Sequence, residues 1–110
     1  MWTRVTVRGN SMAPTLRDGQ ELLARRLFRS PRRSEVIVFR VADPDLPHRV
    51  KRVAAVAGDP VPPWLAPAMP DVHRVPDGFV AVSGDNPRSQ DSRQLGLIAC
   101  RDVVGAVRCA

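Results

Sequence analysis

Apolar residues, many of them β-branched, alternate with polar residues in six short runs along this chain. An alternation of period two is typical of strands with one buried face. Clusters of glycine, proline, aspartate and asparagine separate the runs, as turns do. The pattern therefore predicts a mostly β fold. The runs cover residues 2–7, 21–25, 35–41, 49–56, 78–83 and 103–107.

The connections between these runs are short, with one exception. Asp18-Gly19 and Pro44-Asp45 indicate turns, and a single helical turn can follow Ser11. The proline-rich segment 60–76 predicts an irregular connection, because proline cannot lie in a central strand. No repeat or linker divides the chain, so we expect one domain over residues 1–110, a small antiparallel barrel or folded sheet.

The net charge of the chain suits an acidic partner but does not identify which class of molecule it is. The net charge is +6, and all but one of the 17 basic residues are arginine. The densest cluster contains a single aromatic residue, Phe28, and no helix that could enter a groove, so we interpret it as a solvated hairpin end and expect no nucleic acid partner. A basic β module that binds nucleic acid stays as the non-enzymatic alternative. The cluster comprises Arg25, Arg26, Arg29, Arg32 and Arg33.

Nothing in the composition requires a metal or a cofactor. Cys100 and Cys109 lack the spacing of a metal site and are expected to be free thiols, and His48 and His73 stand alone in the sequence. No run reaches the roughly 20 apolar residues of a membrane span, and the N-terminus lacks the features of a signal peptide. We therefore expect a soluble, cytoplasmic protein.

One lysine, Lys51, lies in the apolar run 50–56. A lysine in a pocket of low polarity can lose its proton near neutral pH and act as a base, whereas arginine stays protonated. Ser11 lies upstream in a turn between Gly9 and Pro14, a plausible way to expose a hydroxyl at a strand end. The pair suggests a Ser/Lys hydrolase. The competing interpretation is that a lone lysine reflects only an arginine-rich composition.

Four blocks, in order, resemble the type I signal peptidases and their soluble relatives, which are serine proteases with a Ser/Lys dyad. Each block alone is a weak signal, but together they span about residues 5 to 108. The blocks are Ser11-Met12-Ala13-Pro14-Thr15-Leu16, Ser34-Glu35-Val36-Ile37-Val38-Phe39, Lys51-Arg52-Val53 running to Gly58-Asp59, and Gly84-Asp85-Asn86 followed by Ser89-Gln90-Asp91-Ser92-Arg93 and Gly96.

The resemblance implies a serine endopeptidase in which Ser11 is the nucleophile and Lys51 the general base. It further implies that Ser89 hydrogen-bonds and orients the Lys51 amine. Asp91 and Arg93 match a supporting ion pair beside the site, and Met12 and Pro14 are expected to contact the substrate.

The chain departs from the best-known members in three places. Gly9 stands where some carry a serine that donates to the oxyanion, so the Asn10 side-chain amide joins the Ser11 backbone N–H as a candidate donor. Only about 25 residues separate the base block from Gly84, too few for a large cap domain. Ser11 follows just ten residues, so we expect no membrane anchor ahead of it.

These departures bear on the substrate, expected to be a precursor protein or leader peptide. The chain resembles the short maturation proteases of nickel-type superoxide dismutase, which remove an N-terminal extension. A leader peptidase at the membrane face, with Trp2 and Met12 touching lipid, is one alternative. A LexA-like self-cleaving protease is another, although the ten residues before Ser11 lead us to expect no DNA-binding module there.

Overall fold

The fold is known from a computed structural model, which describes residues 1–107. Strands dominate this part of the chain, so the predicted mostly β class is confirmed. The only α-helix in the described range, α1, is a single turn at Ser92–Leu95. The strands are β1 (Trp2–Thr6), β2 (Glu21–Arg25), β3 (Val36–Arg40), β4 (His48–Val56), β5 (Phe79–Ser83), β6 (Ile98–Ala99) and β7 (Val103–Val107).

The seven strands form one antiparallel sheet in the order β1-β2-β7-β3-β4-β5-β6. The sheet curls into a half-barrel, in agreement with the predicted barrel or folded sheet. β1 pairs only with β2, so its other edge carries no strand among residues 1–107. β4 pairs with β3 along its first half and with β5 only from Arg52 onward.

β3 lies at the centre of the sheet, and both of its faces are buried. Val36 and Val38 pack in one apolar cluster together with Val50 of β4. Ile37 and Phe39 face the other way and belong to a second cluster. Because both faces are covered, β3 has a continuous apolar sequence instead of an alternating one. Lys51 pairs with Ile37 across the ladder and therefore shares its face of the sheet.

The connection from β4 to β5 is irregular, as the prolines predict. It forms one 3-10 turn at Ala66–Ala68 and covers a third apolar cluster that contains Leu65 and Val75. Leu65 has no exposed surface. The segment therefore adds a small apolar cluster of its own beside β4 and β5.

Two features of the described range bear on the other sequence-based expectations. Burial raises the pKa of the half-buried Cys100 thiol, which favours the neutral form of this free cysteine. Cys109 lies outside the described residues. No helix within residues 1–107 combines the length and the apolar character that crossing a membrane requires.

Candidate active site

The loop that carries Ser11 follows β1 and is held at both ends. Val7 donates its N–H to the Gln20 carbonyl (2.8 Å), which extends the β1–β2 ladder by one residue. Met12 and Leu16 are buried in the core, and the Leu16 N–H donates to the Met12 carbonyl (2.9 Å). This bond closes the helical turn that was expected after Ser11. Ser11 itself is half-buried at the start of the turn.

Three donors at this loop have no hydrogen-bond acceptor within residues 1–107. They are the Ser11 backbone N–H, the Ser11 hydroxyl and the Asn10 side-chain amide. The preceding Gly9 has a φ of 83°, a conformation that favours glycine, and its N–H donates to Asp18 Oδ1 (2.8 Å). The loop thus holds a hydroxyl and two free donors within two consecutive residues.

Lys51 lies in the middle of β4 and is only 3% exposed. Burial lowers the pKa of its amine, and the nearby Arg49 charge lowers it further, while Asp91 acts in the opposite direction. The Arg49 guanidinium is itself held by Asp43 (3.2 Å) and by the Leu46 carbonyl. No hydrogen bond to the Lys51 amine is formed from the described part of the chain. These conditions favour a neutral amine.

The loops that carry Ser11 and Ser89 both contact Gly84. A Cβ added to Gly84 would lie 2.5 Å from the Ser11 carbonyl oxygen and closer still to the Ser89 hydroxyl. Gly84 directly follows Ser83, whose ladder partner Arg52 is the neighbour of Lys51. Ser11 and Ser89 therefore both pack against the chain immediately beyond the β4–β5 ladder, beside the strand that carries Lys51.

Ser89 uses its hydroxyl hydrogen locally. It donates to the Asn86 carbonyl (2.8 Å) and so closes the loop that follows Gly84. A serine oxygen has two acceptor lone pairs besides its hydrogen. Ser89 therefore remains able to accept a hydrogen bond from an amine.

Asp85 and Asn86 tie this loop to the nucleophile loop. Arg52 donates to both carboxylate oxygens of Asp85 (2.8 and 2.7 Å), and the Thr15 hydroxyl donates to the same carboxylate (2.5 Å). The Arg52 bond is the first cause of a lowered Asp85 pKa. Asn86 donates its backbone N–H to the Ser11 carbonyl and its side-chain amide to the Asn10 carbonyl, both at 3.0 Å.

In the sequence Asp85 and Asn86 belong to the fourth block, and the resemblance implied no role for them. Their signal was the Gly-Asp-Asn triplet, whose short polar residues are typical of a loop that bonds to neighbouring backbone. The structure shows that this triplet holds the loop on either side of Ser11.

Asp91 and Arg93 form the ion pair that the resemblance implied, at 2.9 Å. Asp91 is also the N-cap of α1: it accepts from the Arg93 N–H, and its own N–H donates to Gln94 Oε1. Burial favours the neutral acid, yet the hydrogen bonds from Arg93 hold the pKa of Asp91 below its usual value. The buried Ser92 hydroxyl accepts from Val82 N–H and so fixes α1 to β5 (2.8 Å).

A small cavity of about 30 Å³ opens beside Ser11. Its walls come from the end of β1 and from the start of β4. His48, which stands alone in the sequence, lies here because it begins β4. Besides Ser11 and Met12, the lining includes Thr6, Val7, Arg8, Leu46, His48, Arg49 and Val50.

The profile of the family described as "Signal peptidase, peptidase S26" matches residues 1–63 and 64–110 of this chain. The chain belongs to the S26 signal peptidase family. No curated protein matches it in sequence. Membership of this family supports a serine peptidase of the signal peptidase type in general terms.

Within the S26 framework, the two residues expected to contact substrate differ in environment. Pro14 is exposed, whereas Met12 has no exposed surface and packs in the core while lining the small cavity. The expectation that Met12 touches lipid is therefore wrong, because Leu16 and the strands of the first cluster cover it. Trp2, its proposed companion, is 59% exposed.

Proposed function

We propose that residues 1–110 form a single catalytic domain of a serine endopeptidase, with Ser11 as nucleophile and Lys51 as general base. The observation that carries the proposal is the state of Lys51, the one lysine of the chain, which is 3% exposed with a lowered pKa. Structural lysines are almost never fully buried unless they are paired. A general base must be neutral, and this requirement explains why Lys51 is buried without a hydrogen-bonded partner among residues 1–107.

The register of the sheet supports a position of Ser11 and Ser89 close to the Lys51 side chain. Arg52 pairs with Ser83, so one further step along the antiparallel strands sets Lys51 opposite Gly84. Residues opposite one another share a face of the sheet. The Cβ direction of Gly84, which points at Ser89 and the Ser11 carbonyl, is then also the direction of the Lys51 side chain.

In the proposed mechanism, Lys51 accepts the Ser11 hydroxyl proton as the Ser11 oxygen attacks the scissile carbonyl. The Ser11 N–H and the Asn10 side-chain amide donate to the resulting oxyanion. Lys51 then returns the proton to the leaving amine, which leaves an acyl ester on Ser11. A water that loses its proton to Lys51 hydrolyses this ester and regenerates the serine.

The supporting residues act through Lys51. Ser89 accepts a hydrogen bond from the amine and aims its lone pair at Ser11. The Asp91 carboxylate favours the protonated amine, but its ion pair with Arg93 weakens that effect. Arg93 thus helps to keep the pKa of Lys51 low.

Two strand edges beside Ser11, unpaired within residues 1–107, suit an extended substrate. Val7 bonds to the β2 side, so by alternation Thr6 and Arg8 direct their backbone groups to the free edge of β1. Val53 bonds to residues 34 and 35, so by the same alternation Val50 and His48 face away from β3. These four residues all line the Ser11 cavity. A peptide strand added between the edges would run past the nucleophile.

The substrate class that we propose is a precursor with an N-terminal leader or pro-segment, and specifically the nickel-type superoxide dismutase precursor that the resemblance suggests. The test is incubation of the purified protein with this precursor, followed by sequencing of the new N-terminus. We expect one cleavage that releases the extension, and none with Ser11→Ala. Cleavage of other leader-bearing precursors but not this one would refute the specific substrate and retain the peptidase.

The exposed apolar residues before β1, within it and after β2 favour a second candidate, a leader peptidase that works against a membrane surface. Met1 is 81% exposed, Trp2 59% and Phe28 87%. Amphipathic surfaces with aromatic and basic residues bind lipid interfaces. Activity that requires added phospholipid or detergent would select this candidate, and full activity in plain buffer would select the first.

A further inference from the structure

A second, larger cavity of about 450 Å³ lies near the beginning of β1. Three arginines line it: Arg26 after β2, Arg40 at the end of β3, and Arg101 in the 3-10 turn between β6 and β7. None of the described residues that line it is acidic. Leu27, Val103 and Val104 form an apolar part of its wall.

Five arginines elsewhere in the described range are each paired with a carboxylate, whereas these three guanidinium groups are not. Arg29, Arg33, Arg49, Arg52 and Arg93 each form an ion pair with a carboxylate. Within residues 1–107, Arg26, Arg40 and Arg101 form none, and Arg26 lies 5.5 Å above the Phe28 ring. Three like charges around one cavity repel one another, so an anion bound there is favoured.

Two relationships place this basic cavity close to the Ser11 cavity. Thr3 lines the basic cavity and Thr6 lines the Ser11 cavity, three residues apart on β1, which is about 10 Å along a strand. Arg40 lines the basic cavity, and its ladder partner His48 lines the Ser11 cavity. The unpaired edge of β1 connects the two.

We propose that this basic cavity is a substrate subsite for acidic side chains, located three to six residues from the cleaved bond. This inference rests on the proposed peptidase function. An extended peptide that passes Ser11 along the β1 edge reaches the cavity after that number of residues. The apolar wall suits the stem of glutamate, and the three arginines suit its carboxylate. Among the described residues, no aromatic side chain lines the cavity to stack a nucleic acid base.

The test uses the Ser11→Ala variant and fluorescent synthetic peptides with alanine at the first and third positions before the bond. Paired aspartates are moved through three to six residues on either side of the bond, with asparagine versions as the matched series. With the aspartates at one of these distances from the bond, we expect the aspartate peptide to bind about tenfold more tightly than its asparagine version. This preference should weaken as the salt concentration is raised. Added Arg40→Gln and Arg101→Gln should abolish the difference.

The matched control is the pair Arg33→Gln and Arg74→Gln, which removes the same charge. Arg33 precedes the start of β3, at the opposite end of the strand from Arg40. Arg74 donates to the Gly58 carbonyl in the irregular connection. This variant should keep the aspartate preference. Arg40→Glu with Arg101→Glu should reverse it, so that lysine peptides bind better than aspartate peptides, which loss of folding cannot produce.

Binding and cleavage together separate this inference from the proposed function. Equal binding of aspartate and asparagine peptides, with cleavage by the parent, would overturn the subsite and leave the peptidase. Arginine-dependent binding of the aspartate peptides without cleavage by the parent would overturn the dyad and support the cavity as an anion site. Binding to phosphatidylglycerol vesicles that the Arg40→Gln and Arg101→Gln changes abolish, without any effect on peptides, would assign the cavity to lipid and overturn the proposal.

Discussion

Gly84 and Ser89 lie so close together that the backbone of Gly84 has no room for a side chain. A Cβ at Gly84 would overlap the Ser89 hydroxyl and would come within 2.5 Å of the Ser11 carbonyl oxygen. The first of these atoms belongs to a side chain that can rotate, but the second belongs to the backbone of the proposed nucleophile. A methyl group at position 84 must therefore displace the Ser11 loop.

Gly84→Ala should reduce activity more than it reduces stability. We expect at least a tenfold loss in kcat/KM, equal to about 1.4 kcal/mol in the barrier, because Ser11 moves relative to Lys51. Gly105→Ala is the control. Its Cβ would lie 2.5 Å from the Arg25 carbonyl oxygen, at the β2–β7 contact away from Ser11. It should lower the melting temperature while the folded fraction keeps its activity. Full activity of Gly84→Ala would show that the close approach of Gly84 to the Ser11 carbonyl does not position Ser11.

Lys51→Arg should leave the protein folded and nearly inactive. Arginine retains its positive charge and cannot accept the Ser11 proton at working pH. Ser11→Ala should be equally inactive and the double variant hardly worse, because residues that act as a unit lose their function together. Circular dichroism checks folding, and initial rates check activity. A folded arginine variant with more than about a tenth of the parent rate would show that Lys51 is not the base.

Activity of the parent should rise with pH, with an apparent pKa below that of a free lysine. Burial and Arg49 lower the pKa of Lys51, so the reactive neutral amine accumulates at a lower pH than 10.5. The profile of kcat/KM against pH measures this. Arg49→Gln, which removes the nearby charge, should move the apparent pKa upward. An unchanged profile in this variant would contradict the assigned electrostatic role.

Lys51→Met should stabilise the protein at neutral pH while abolishing activity. The folded state holds the lysine pKa below the unfolded value, so folding is opposed while the amine is charged and this penalty falls as pH rises toward 10.5. Each unit of pKa depression corresponds to about 1.4 kcal/mol. Thermal melts at pH 7 and pH 10 should show the largest gain at pH 7. A methionine variant that is less stable than the parent at pH 7 would contradict the desolvation argument.

Asp85→Asn should loosen the Ser11 loop. The carboxylate accepts from Arg52 and Thr15, and hydrogen bonds to charged groups contribute about 1.5–3 kcal/mol each when they are buried. This pair is partly exposed, so we expect roughly 1 kcal/mol in the free energy of unfolding and at least a tenfold loss of rate. Because the pKa of Asp85 is lowered, its contribution in the parent is present above the usual aspartate range and is lost as pH falls through the lowered value.

The control for Asp85 is Glu35→Gln, which breaks a bidentate pair with Arg29 elsewhere on the surface. Chemical denaturation and peptide cleavage are measured for both variants. The glutamine variant should lose some stability and keep its rate. Similar rates for the two variants would mean that Asp85 contributes only to the fold.

Substrates should require small residues at the first and third positions before the cleaved bond. Alternate side chains of an extended peptide face the enzyme, and the cavity beside Ser11 has a volume of only about 30 Å³. Peptides with alanine at these positions should be cleaved at least a hundredfold faster than peptides with leucine or phenylalanine. Steady-state kinetics on matched synthetic peptides measures this ratio. Equal rates would show that the substrate does not enter this cavity.

The sequence predicted the strands well because each one carries a clear apolar pattern. β2 begins and ends where the alternation predicted, and β4 differs from its predicted run by one residue. The two-residue strand β6 was missed, since no pattern can be read over Ile98–Ala99. The α1 turn had a signal that went unused: Asp91 and Gln94 have the spacing of a capping box.

The site was less accessible to sequence reasoning than the fold. Ser11, Lys51 and Ser89 stood in recognisable blocks, but the contacts of Gly84, Asp85 and Asn86 with the Ser11 loop join segments some 70 residues apart. The basic cavity collects Arg26, Arg40 and Arg101 from separate elements. Such sites depend on strand order, which the pattern of one chain does not contain.

Lys51 has one more consequence, because it is the only lysine of the chain. Acylating reagents attack neutral amines, and in this protein Lys51 is the one side-chain amine besides the N-terminus. The added mass would show that Lys51 has reacted. The rate of labelling at each pH would follow the fraction of Lys51 that is neutral, and so would give its titration without isotopes or substrate. At 3% exposure, the same labelling would also report how often the half-barrel opens around this strand.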